Sequence, residues 1–164
     1  MSVSLWEALD EATANHLMAE MGPTGDYPDH QITAVEVGDT WNPDAGPRPA
    51  ILIVSNDADL SSAGHGQGGP HVGATYEYMV VAYTEAESYA SAKRAAQTLH
   101  GRLIAAVRQW PPILAAAQAA TTTGEHADRV RFDRSRIEVR GRQGATRGRY
   151  YGIAVLRYEV DTMN

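Results

Sequence analysis

The sequence predicts a single α/β domain of the α+β kind: a mixed or antiparallel sheet of about five strands, packed by an N-terminal helix and a long central amphipathic helix. Three observations predict it. The 164 residues, 43% of them hydrophobic, suit one compact core. Two stretches repeat apolar residues at spacings of three and four, and several shorter ones alternate or run continuously apolar. The order is helix, three strands, long helix, short helix, then two strands, with no internal repeat.

Ser4-Leu5-Trp6-Glu7 reads as a capping box, and Trp6, Leu9, Thr13, Leu17 and Met21 then recur on one helical face. Gly22-Pro23 is expected to end this helix with a left-handed stop and a breaker. Ile32 to Val37 alternates as a short strand. Ala50 to Val54 (AILIV) is continuously apolar, as befits a strand covered on both faces. Between them DTWNPDAGPRP is a turn-rich connector. Thr75 to Tyr83 (TYEYMVVAY) is rich in aromatic and β-branched residues and is the strongest strand signal.

Thr84-Glu85-Ala86-Glu87 reads as a second capping box. After it Tyr89, Ala92, Ala96, Leu99, Leu103, Val107 and Trp110 share one face of a long helix that Pro111-Pro112 should end. ILAAAQAA predicts a short third helix and TTTGEHAD a polar loop. Arg129 to Val139 alternates weakly, Val130 and Phe132 on one side, and a phase change at DRSR points to a bulge or turn. Arg140 to Arg149 (RGRQGATRGR) reads as a Gly/Arg connector, and Tyr150 to Val160 as the closing strand.

Composition narrows the chemistry. With no cysteine there is no disulfide scaffold, thiolate zinc site or cysteine nucleophile. No apolar run approaches the roughly 20 residues that span a bilayer, and the acidic N-terminal stretch is unlike a signal peptide. No membrane role and a cytoplasm-like compartment are therefore expected. Charge is unevenly placed: Met1 to Val80 has 1 basic and 12 acidic residues, whereas Val81 to Asn164 has 13 and 8. That polarity suits a subunit meeting neighbours through opposite faces, unless the fold intermixes the charges.

Gly64, Gly66 and Gly69 spell G-x-G-x-x-G. A dinucleotide fingerprint needs a strand-to-helix turn, and here a strand follows instead. The Walker lysine is absent too. His65 and His71 could join Asp57 or Asp59 at a metal, but no third histidine lies near and a Gly-rich loop fixes no geometry. No nucleophile elbow or Ser-His-Asp pairing is visible, so neither enzymatic activity nor any cofactor is expected. The glycines leave a mobile loop that can order when a neighbour covers it. Arg140, Arg142, Arg147 and Arg149 read as contacts to a neighbouring subunit's carboxylates in preference to phosphates. Trp41 is either an interface anchor or a residue folded back on the first helix.

The layout resembles that of the tail terminator proteins of long-tailed phages, also called tail completion or minor tail proteins. The resemblance is carried by SLWEALDEATANHLMAEM, by the junction TYEYMVVAYTEAESYASAKRAAQTLHGRLIAAV, and by RVRFDRSRIEVRGRQGATRGRYYGIAVLRYEV. It implies a homohexameric ring that caps the tail tube, stops its polymerisation and presents a docking surface to a head-side connector or stopper. It also implies a place in the neck of the virion, after assembly in the host cytoplasm, with DNA passing through the ring without sequence-specific binding. The family has no catalytic residues to carry over. The alternatives are another head-tail connector or stopper protein and, from a different class, a small-molecule-binding or hydrolytic α/β domain.

Overall fold

A computed structural model describes residues 1–22, 32, 34–38, 50–61, 73–108, 110–141 and 150–163. In chain order the elements are α1 (Leu5–Met21), β1 (Ala34–Val37), β2 (Ala50–Ser61), β3 (Gly73–Ala86), α2 (Tyr89–Val107), α3 (Trp110–Ala120), β4 (His126–Gly141) and β5 (Tyr150–Met163). The strands form one sheet in the order β1-β2-β3-β5-β4. β1 runs parallel to β2, and every other pairing is antiparallel. The α+β architecture expected from the sequence is the one found.

Side-chain parity divides the sheet into two buried faces. Ile51, Ile53, Val80, Ala82, Ala154, Leu156 and Tyr158 join residues of all three helices in the main core. Leu52, Val54, Val81, Tyr83, Tyr151, Ile153 and Val155 form a second buried cluster on the face away from the helices. The continuous apolar run in β2 follows from this: its odd members serve one core and its even members the other.

The capping box at Ser4 and Glu7 forms as expected. Gly22 ends α1, but its backbone is extended (φ −76°, ψ −175°), so no left-handed stop is made. A side chain there would instead overlap the Met18 carbonyl oxygen. Ile32 is fully buried outside β1, its N–H donating to the Met21 carbonyl at 2.7 Å.

The boundaries around α2 differ from expectation, at its start because of the length of β5. Because Tyr150, Tyr151 and Gly152 offer ladder partners to Ala86, Glu85 and Thr84, these residues stay in β3 and the second capping box does not form. Ser88 caps α2 instead, accepting from the Ser91 N–H at 3.1 Å. Tyr89 is consequently half exposed and meets Tyr150 edge-on, away from the core face. α2 ends at Val107, and Trp110 opens α3. Pro111 and Pro112 thus lie in the first turn of a helix, where a missing N–H costs nothing, and they do not end the one before.

The polar connection after α3 ties the molecule together. The Glu125 carboxylate accepts from the Leu5 N–H (2.8 Å), the Thr123 hydroxyl (2.8 Å) and the Tyr76 hydroxyl (3.2 Å). Thr122 and Val3 exchange two further hydrogen bonds, Thr122 N–H to Val3 O and Val3 N–H to Thr122 Oγ1. The start of α1, β3 and the α3–β4 connection are thereby joined by one carboxylate. Burial pushes the Glu125 pKa up, but the three donors outweigh it and hold the carboxyl below its ordinary range.

Candidate assembly surface on β4

β4 is an edge strand of 16 residues, and from Arg129 to Arg136 nearly every side chain is exposed. Its sequence explains how it presents its charges. Arg129 and Arg131 pair with Asp161 and Glu159, which lie on the face away from the helices, while Val130 and Phe132 pair with Val160 and Tyr158 on the helix side. Strict alternation would then turn Arg134 and Arg136 toward the helices. A register shift between Phe132 and Arg134 leaves Asp133 without a partner and reverses the phase, so Arg134 and Arg136 fall opposite Arg157 and Val155. The bulge at DRSR is therefore present, and its effect is to align Arg129, Arg131, Arg134, Arg136 and Arg140 on one face.

Carboxylates partly neutralise this row. Arg131 bridges Glu159 (2.9 Å) and Asp161 (3.0 Å). Asp161 also accepts from the Thr75 hydroxyl at 2.8 Å, and although burial raises its pKa, these partners hold it below the ordinary value. Glu138 is shared by Arg136 and Arg140, each at 2.8 Å, and Arg157 reaches Glu77 at 2.8 Å. A shallow cavity of about 110 Å³ opens between Arg134, Arg136 and Arg157 over a floor of Met79 and Val155. A second, of about 260 Å³, lies across the bulge, where the half-exposed Phe132 faces Ile104 and Arg108.

The helices add to the segregation of charge. α1 carries Glu7, Asp10, Glu11 and Glu20 with no lysine or arginine, and α2 carries Lys93, Arg94 and Arg102 with no carboxylate. On α1 and α2, acidic and basic residues therefore belong to different elements, whereas on β4 they are intermixed.

Of the residues singled out from the sequence, Arg140 is described. It lies within β4, not in a connector, because the ladder to β5 continues through Gly141 and Tyr150. Trp41, His65, His71, Arg142, Arg147 and Arg149 lie outside the described residues, as do Gly64, Gly66 and Gly69. The arginines at 129, 131, 134, 136 and 157 add to those expected from the sequence. The signal was present in RVRFDRSR, since one phase change between two Arg-x-Arg pairs places all four on the same side. Among the described residues no three His, Asp or Glu side chains are grouped to hold a metal, and no helix is long and apolar enough to cross a membrane. No known protein family matches the chain, and comparison with curated proteins finds no match either.

Proposed function

We propose that this chain is a structural, ring-forming subunit of the tail-terminator kind, which caps a tail tube, stops its growth and offers a docking surface to the head side. The observation that carries the reading is the uneven placement of charge: a helix bearing four carboxylates and no lysine or arginine, and an edge strand with five arginines on one face beside a single glutamate, Glu138. Such a subunit associates head to tail, one face against the next copy's opposite face, and a rotation that closes gives a ring. The resemblance in layout supplies the stoichiometry of six and the partners, a tail-tube protein and a connector or stopper protein.

The edge itself supports closure over open polymerisation of sheets. Rows of arginine and a bulge discourage two β4 strands from pairing, since like charges would meet across the junction. Association then proceeds through side chains, and it weakens with salt because exposed ion pairs are screened over about 8 Å at physiological ionic strength.

The direct experiment is to polymerise the tail-tube protein of the same genome with and without this chain and to read tube length and end structure by electron microscopy. Arrested tubes bearing an added ring at one end are expected. Tubes that grow on uncapped would refute the terminator role and favour the other neck proteins. A metal or small molecule retained by the purified chain would favour the hydrolytic or ligand-binding alternative.

A further inference from the structure

We propose that the groove between the end of α2 and the bulge of β4 is a docking site for a second copy of this chain, filled by Glu87 and Tyr89 at the start of that copy's α2. The contact goes beyond the ring reading, since it closes a two-fold pair as readily as a ring.

The bulge makes the groove. Phe132 and Ser135 both turn to the helix side of β4, opposite Tyr158 and Leu156. The phase change thus sets a small residue where the row begun by Val130 and Phe132 would carry on, and a cavity of about 260 Å³ is left against Ile104 and Arg108. Phe132 borders it and is 48% exposed. Of the charged groups lining it, Asp133 and Arg134 pair with each other at 3.4 Å, while Arg108 forms no ion pair among the described residues. An apolar hollow with an exposed aromatic wall and one uncompensated cation has the make-up of an anchor pocket in an interface.

Its occupant must bring a large apolar side chain with a carboxylate close by. Among the described residues, the exposed large hydrophobics are Met1, Val37, Tyr89 and Phe132. Met1 comes with the terminal ammonium, which Arg108 repels; Val37 has no carboxylate among the described side chains next to it; Phe132 belongs to the groove. Tyr89 is 56% exposed, and Glu87, two residues earlier, is exposed and forms no ion pair among the described residues. The Tyr150 ring meets Tyr89 edge-on at 6.2 Å and so limits the side-chain freedom that docking would remove. The phenol also finds a polar neighbour, the Ser135 hydroxyl on the groove wall. Within one chain the two patches cannot meet, because the 19 residues of α2 hold them about 28 Å apart. Another copy brings them together.

The test uses the absence of cysteine from the chain. Ala90→Cys and Ala105→Cys, both at exposed positions beside the two patches, are made in separate chains, mixed, and treated with a short bismaleimide. Cross-linked dimers are expected from the mixture and not from either chain alone. Arg108→Glu in the Ala105→Cys chain should lower the yield about tenfold, and Glu87→Arg in the Ala90→Cys chain should restore it, an exchange that a general electrostatic attraction does not reproduce. No cross-link, or a yield that Arg108→Glu leaves unchanged or that Glu87→Arg fails to restore, overturns the proposal and assigns the groove to a different protein. The mass of the parent assembly by light scattering separates this contact from the ring reading. Rings without the cross-link overturn the contact alone, whereas cross-linked closed dimers support it and count against the ring.

Discussion

Gly152 in β5 gives the sharpest test of how the helix layer sits on the sheet. It pairs with Thr84 on one side and Val139 on the other and faces α2. A Cβ built there overlaps the Ala92 carbonyl oxygen and comes within 3.2 Å of the Ala96 Cβ. The first obstacle is helix backbone, so no rotamer change relieves it and α2 must retreat. Overpacking of this kind costs about 3 kcal/mol, at the upper end of its usual range. The added methyl group and the stiffer unfolded chain return about 1 kcal/mol, leaving Gly152→Ala destabilised by about 2 kcal/mol. For a chain of this size that lowers Tm by about 4–8 °C. Gly101 supplies the internal control, because it lies exposed in α2 with nothing near its Cβ position. Gly101→Ala should gain about 1 kcal/mol from helix propensity alone. The assay is thermal unfolding by circular dichroism, checked by urea titration. A Gly152→Ala variant as stable as the parent would refute the close approach. Full rescue by Ala96→Gly would show that the methyl contact, and not the carbonyl, had set the distance.

Other perturbations address the remaining supports. Glu125→Gln should cost about 1–3 kcal/mol at pH 7, since the Leu5, Thr123 and Tyr76 donors lose a charged acceptor. Because the folded pKa is lowered from 4.5, its contribution is complete above that value and is lost as pH falls through the folded pKa; the difference between parent and variant in urea titrations should therefore shrink as the solution is acidified from pH 4.5 downward. Tyr158→Phe should be neutral or stabilising by denaturant unfolding: the hydroxyl lies fully buried near Thr13, yet neither oxygen finds good hydrogen-bond geometry, and burial raises the phenol pKa. Loss of more than 1 kcal/mol would reveal a bond that matters. Ser88→Ala should cost about 1 kcal/mol in the same assay by removing the α2 cap, whereas Thr84→Ala should remove no cap at all.

Local signals in the sequence determined much of the architecture. Ser4 and Glu7 cap α1 as their spacing requires, Ile51 to Val54 are buried on both faces, and the phase change at DRSR is a bulge, because each depends on neighbours a few residues away. The resemblance to a known protein layout rested on the same local signals. The tertiary structure decided what depends on partners distant in the chain. The length of β5 extended β3 through Ala86, cancelled the capping box at Thr84 and moved the cap to Ser88. Ladder partners likewise kept Arg140 in a strand, and the packing of Trp110 against Tyr158 made Pro111-Pro112 the opening of a helix. The candidate site shows the same division. The sequence contained the arginines and the phase change, but only strand order could set Arg134 opposite Arg157, since two residues 23 positions apart become neighbours through the β4–β5 register.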